Sequence, residues 1–182
     1  MKRSHPSTNR PSSIALALAL ALSLAFAGRA LAEDQKTPPT PAQSINRNFD
    51  ELNRKILDMA KDFPADKYSY RPAPGLRSFG EVILHITEGN LYAAKAGRGE
   101  KVEWKELDAK EYPGKTEIVA ALEKSIADAK ATLNATPETQ YAKTISPWMG
   151  IVEHAGEHYG QLVVYYRNNS LVPPETRKGT NN

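Results

Sequence analysis

Cysteine is absent from this 182-residue chain. Its absence excludes a disulfide framework, a thiol nucleophile, a thiolate metal site and covalent haem attachment, so the core has to stabilise itself. No apolar run is long enough to cross a bilayer. The longest, Ile14 to Phe26, is interrupted only by Ser23 and holds 13 residues, well short of the roughly 20 that a spanning helix needs. Nor is there a lasting excess of one charge. The formal net charge is +3, but residues 1–32 carry Lys2, Arg3, Arg10 and Arg29 and no acid, so the remainder holds 20 basic against 21 acidic residues. Without a clustered basic face there is no footprint for the phosphate backbone of a nucleic acid. Strand-like alternation and internal repeats are missing too. Histidine is scarce: of four in the chain, only His85, His154 and His158 lie beyond residue 32.

The first 32 residues read as a targeting segment. A basic n-region precedes the Leu/Ala-rich run, and Ala30-Leu31-Ala32 offers small residues where a signal peptidase cuts. This predicts an exported protein, periplasmic or secreted, starting at Glu33 and keeping no membrane anchor. Residues 33–43 are polar with Pro38, Pro39 and Pro41, and read as a disordered linker.

Four amphipathic segments follow. Ser44 is a candidate cap for a first helix to Asp62, with Ile45, Phe49, Leu52, Ile56, Met59 and Phe63 at three- and four-residue intervals, stopped by Pro64. Pro64 to Arg77 holds Pro72, Pro74 and Gly75 and reads as a loop. Ser78 with Glu81 is a capping box opening a second helix, which carries His85 and ends near Gly97 or Gly99. Arg98 to Lys115 is a polar connection containing Trp104, longer than most inter-helix links, which suggests a lid or crossover. A third helix starts near Thr116 on an Ile118, Leu122, Ser125, Ala129 and Leu133 stripe. Asn134 to Ser146 reads as loop, and Ser146-Pro147 as the cap and first-turn proline of a fourth helix ending at Asn168 or Asn169. The fold class is therefore all-α: a four-helix bundle over residues 44–174 with long connections, and a polar tail over 175–182.

The chemistry centres on His154-Ala155-Gly156-Glu157-His158. Two imidazoles four residues apart stand one turn above each other, in reach of one divalent cation. With His154 at zero, His158 falls at about 40° and Gln161 at about 340°, at the edge of an apolar arc that includes Trp148, Ile151, Ala155 and Tyr166. Such a pair is often just two boundary histidines. Against that, all three histidines beyond residue 32 lie within helices and can be turned inward, as bundle metal sites require. Three imidazoles with an open position suit a catalytic divalent site, with zinc or nickel favoured and manganese or iron admitted. Such an ion can polarise a substrate oxygen or acidify a bound water. Glu157 and Glu88 are candidate carboxylates within a turn of a ligand, Glu157 being the candidate catalytic base. Gln161 is placed to hydrogen-bond a ligand, and Tyr92 and Tyr165 to line the pocket. The same five residues satisfy H-x-x-E-H, a zinc-peptidase pattern, but only Glu175 follows as a further acidic ligand and His85 would then be idle. Gly156 and Gly160 share a face turned from the histidines, where a helix of the same chain or, in a homodimer, a second subunit can approach closely.

Pro64-Ala65-Asp66-Lys67, Arg71-Pro72-Ala73-Pro74-Gly75, Ser78-Phe79-Gly80-Glu81-Val82, His158-Tyr159-Gly160-Gln161-Leu162 running on to Arg167, and Val172-Pro173-Pro174 together make the chain resemble the DinB-like superfamily of four-helix-bundle metalloproteins. The resemblance covers about Ser44 to Pro174. It implies His85, His154 and His158 as ligands of one divalent ion, with water or substrate completing the shell. It also admits a transferase or isomerase acting on a small molecule with a low-molecular-weight thiol, although export argues against such a thiol; a small-molecule hydrolase fits the site equally, and a non-catalytic secreted metal-binding or interaction bundle is the alternative. Asn169-Ser170 departs from the Asn-Gly turn that relatives often place after the last helix.

Overall fold

The computed structural model describes residues 37–179. The segment read as an export signal, and the first part of the linker, fall outside them. Among the described residues there are helices and turns and no strand, and no helix is long and apolar enough to cross a membrane.

Helix α1 spans Pro41–Asp62. It begins three residues before Ser44, inside the stretch read as linker. The Thr40 side chain accepts from the Gln43 amide while the Gln43 side chain accepts from the Thr40 amide, and Pro41 occupies the first helical position, where a missing N–H costs nothing. A proline-rich composition thus concealed a capping box. At the other end, Lys115 Nζ donates to the carbonyls of Lys61 and Phe63, supplying partners that the last turn lacks.

Helix α2 spans Phe79–Gly97 and starts on the expected Ser78–Glu81 capping box. Helix α3 spans Lys115–Ala135. Helix α4 spans Glu138–Asn168 and carries Pro147 in its interior, which corrects the reading of Asn134 to Ser146 as loop. Pro147 cannot donate to the preceding turn, a defect that ordinarily breaks a helix. Here Tyr141 before it and Trp148 after it are both buried in one cluster with Phe49, Ala129 and Leu133, so packing holds the chain helical on both sides. The spacing of Tyr141, Ile145 and Trp148 carried that signal. A short α5, Pro174–Gly179, falls largely within the stretch read as a polar tail and lies on α1, with Glu175 pairing to Arg54, Arg177 to Asp62 and Lys178 to Asp58.

Helices α1 and α2 each pack on α3 and α4, while α1 against α2 and α3 against α4 touch little. Around the bundle the order is therefore α1, α3, α2, α4, and the faces of α2 and α4 meet directly. Two apolar clusters fill the interior. One is built on the stacked rings of Phe63 and Phe79, with centroids 3.8 Å apart, and on Leu122, Leu162 and Tyr166; the other is built on Phe49, Leu133, Trp148 and Ile151. A buried polar contact sets the rotation of α2: Asn90 Nδ2 donates to Asn53 Oδ1 of α1 and to Ser125 Oγ of α3, each at 3.2 Å. Five residues on a helix correspond to a rotation of about 140°, so fixing Asn90 inward leaves His85 facing the α2–α4 seam.

Two positions test the packing. The departure at Ser170 is a backbone matter: Leu171 N–H reaches the Tyr166 carbonyl and Ser170 N–H the Arg167 carbonyl, and Ser170 carries φ +57° in the left-handed region that favours glycine. Ser170→Gly is expected to raise stability by about 0.5–1 kcal/mol. A methyl at Gly97 would fall within 3 Å of the buried Trp148 ring, so Gly97→Ala is expected to cost about 1–3 kcal/mol. Urea midpoints of the two variants, moving in opposite directions, check both expectations.

Candidate metal centre

The α2–α4 seam brings the three histidines together. One ring nitrogen from each lies within 4.8 Å of one from each of the others. Ring centroids are 4.9 Å apart for His85–His154 and for His85–His158, and 4.4 Å apart for His154–His158. His85 Nε2 and His154 Nε2 are 3.2 Å apart. Two imidazole nitrogens on a tetrahedral zinc stand about 3.3 Å apart, given Zn–N bonds of about 2.0–2.1 Å.

Each ring's other nitrogen decides whether a lone pair is free for an ion. His85 Nδ1 lies 3.0 Å from Glu88 Oε2. Glu88 is buried, and its Oε1 accepts the Leu107 backbone N–H at 2.6 Å. A carboxylate can only accept, so His85 donates from Nδ1 and leaves Nε2 with its lone pair. His158 Nδ1 lies 2.7 Å from Gln161 Oε1, with the same consequence. Burial raises the Tyr165 phenol above its ordinary value, and its hydroxyl donates to the Arg77 carbonyl. His154 differs: its Nδ1 is buried with no hydrogen-bond partner, packed against Gly89, where a Cβ would stand 3.0 Å from the ring. Its Nε2 then donates to His85 in the metal-free protein. A side chain at position 89 would press on this ring and on Ile151, so one of them would have to shift.

Protonation of two of the rings is disfavoured. Burial, together with the neighbouring histidines and Arg77, lowers His154 to about 4. Burial also lowers His158, against the opposing hydrogen bond to Gln161. Neutral imidazole is the form that binds a metal. Trp104, from the long connection, closes the site over His85 and His154 with ring centroids at 5.3 and 5.9 Å. The Leu107 amide on Glu88 anchors that same connection. The connection's length pointed to a lid, but no spacing rule singled out Trp104, Leu107 or Gly89, because their roles arise from contacts between distant segments.

The remaining candidates separate clearly. Glu88 and Gln161 each hold a histidine. Glu157 is exposed and hydrogen-bonds none of the three rings. Tyr92 sits beside Trp104, with centroids 5.8 Å apart, and lines the cavity next to His154. Tyr165 is buried in the apolar cluster, donates to the Arg77 carbonyl and does not line that cavity. Glu175 pairs with Arg54 on α1, and His85 takes the third position at the seam, so the H-x-x-E-H peptidase reading has no further ligand. Gly156 and Gly160 have nothing within 4 Å of a Cβ position, so no helix of the described chain packs there.

A helix bundle with three convergent imidazoles that can hold a metal ion is the class of protein these features define. Residues 48–165 match the DinB superfamily, well over half the chain, and the protein belongs to that superfamily. A search of curated proteins finds no significant match.

The unfolded chain takes up protons at the ordinary imidazole value, near 6.5, whereas folded His154 does so only at about 4. Folding thus favours the neutral form, and the stability of the metal-free protein is expected to fall as pH drops through that interval. Urea midpoints measured across it should decline less steeply in His154→Asn. Equal slopes would show that the ring is not held neutral by the fold.

Proposed function

We propose that the protein is an exported, divalent-metal-dependent enzyme acting on a small molecule, as a hydrolase or as a thiol-dependent transferase. The observation that carries this reading is the pair of hydrogen bonds at His85 Nδ1 and His158 Nδ1, which leaves both Nε2 lone pairs turned to the seam where His154 joins them. An all-imidazole donor set fits zinc or nickel, and manganese or iron less well. A bound ion would supply Lewis acidity, polarising an oxygen or favouring a thiolate.

The chain's own residues do the rest. His85, His154 and His158 hold the ion, Glu88 and Gln161 orient two of the rings, and Trp104 limits the access of water from the side of the connection. Protein-derived bases are few. Both Glu88 oxygens are engaged. Glu157, exposed one residue from His158, is the carboxylate free to swing towards a substrate, and it is proposed as the proton acceptor where the reaction needs one. A metal-binding bundle without turnover is the second reading, favoured by the same lack of a poised base. Export, which the first 32 residues suggest, separates the protein from nucleic acid.

Full-length protein purified without chelators is expected to hold about one divalent ion per chain, with His85→Ala and His158→Ala abolishing binding and Glu88→Gln weakening it about 10–100-fold. Competition against a chromophoric zinc chelator measures this. Turnover on a panel of esters, amides and electrophile–thiol pairs should disappear with the ligands and fall in Glu157→Gln. Metal without turnover would leave the non-catalytic reading; no metal in the wild type would defeat both.

A further inference from the structure

Beside the triad lies a cavity of about 460 Å³, within the size range of sites that take small organic molecules. His154 and Gly89 form its inner end, and Tyr92, Trp104, Pro147 and Ile151 line its walls. Of its thirteen lining residues none is acidic, and the only lysine or arginine is Lys143. Lys143 is exposed and, among the described residues, has no ion-pair or hydrogen-bond partner. A neighbouring cavity shares Gly99, Lys143 and Thr144 with the first, adds Arg98 and likewise has no acidic lining residue. Lys143 therefore stands where two acid-free hollows meet, in a chain that otherwise mixes charges of both signs.

The aromatic wall is equally uneven. Tyr92 and Trp104 lie side by side, with centroids 5.8 Å apart and planes 38° apart, and are 36% and 43% exposed. Adjacent exposed aromatic rings at the mouth of a cavity are apolar surface that a ligand can cover. They also border the triad, since Trp104 lies 5.9 Å from the His154 ring. An apolar wall, one unpaired cation and a metal-competent inner end select for a particular ligand chemistry.

We propose that this cavity is the substrate cleft of the histidine centre and selects small molecules with an aromatic or branched apolar body and one anionic group. The body lies along Tyr92, Trp104 and Pro147, and the anion (carboxylate, sulfonate or phosphate) pairs with Lys143. The assignment as a substrate cleft rests on reading the triad as the functional centre, whereas the selectivity resides in Trp104 and Lys143 and does not need an ion.

The test is isothermal titration of the full chain with 4-phenylbutyrate, its neutral amide and butyrate, with metal content measured on the same samples. 4-Phenylbutyrate should bind saturably, about fivefold tighter than the amide, a margin suited to one exposed charge pair. Butyrate should bind at least about fivefold more weakly than 4-phenylbutyrate, because it offers no ring to the aromatic wall. Lys143→Gln should bring acid and amide to equal affinity. Trp104→Ala should weaken both by about fivefold and leave their ratio unchanged. Both side chains are exposed, so unchanged thermal melts are expected for the variants, and the comparison of acid with amide on wild type needs no variant. An acid that binds no tighter than the amide, a preference that survives Lys143→Gln, or no saturable binding to metal-loaded protein overturns the cleft. Lys143-dependent binding to wild type purified without chelators and found to hold no divalent ion upholds the selectivity, and the missing ion counts against the metal reading alone.

Discussion

Two hydrogen bonds on the outer nitrogens of His85 and His158 govern the rest of the site. An imidazole can bind an ion through a given nitrogen only if the proton sits on the other one. Glu88 and Gln161 hold the proton at Nδ1 in these two rings, so their lone pairs are committed to the seam before any ion arrives. Glu88 is itself fixed by the Leu107 amide. The connection between α2 and α3 thereby becomes part of the centre, although it contributes no ligand.

The bundle supplies what those hydrogen bonds need. Placing α2 beside α4 sets His85 against the His154–His158 face, and the inward Asn90 contact keeps α2 from rotating away. Burial and the neighbouring imidazole of His85 disfavour protonation of His154 and His158, which keeps these two rings in the form that binds a metal. His154 is the least constrained of the three. It has no hydrogen-bond partner at Nδ1, so it is the ring free to exchange tautomers when an ion binds.

Much of this could be read in the sequence because it depends on local spacing. The i, i+4 histidines, the Ser78–Glu81 box and the apolar periods of the helices are properties of single segments, and each appears in the structure where its residues predict. The errors fall where tertiary packing overrides a local rule. Thr40 to Gln43 looked like linker because three prolines masked a capping box, and Pro147 looked like a helix start because the burial of Tyr141 and Trp148 on either side of it is a long-range effect. Tyr165 shared a helical face with the ligands, yet its buried position and its hydroxyl contact with Arg77 depend on a loop 88 residues earlier. Trp104 and Gly89 were beyond reach for the same reason: a lid and a hole are defined by what lies opposite.

Long-range ¹H–¹⁵N correlation spectra of the three imidazoles, recorded near neutral pH before and after one equivalent of zinc, test the central claim most directly. The account expects His85 and His158 as Nδ1–H tautomers in the metal-free protein, His154 as the Nε2–H tautomer, and all three Nε2 resonances to shift on addition of zinc while His85 and His158 keep their Nδ1 protons. An Nε2–H tautomer at His85 or His158, or zinc bound through Nδ1 of either, would contradict it.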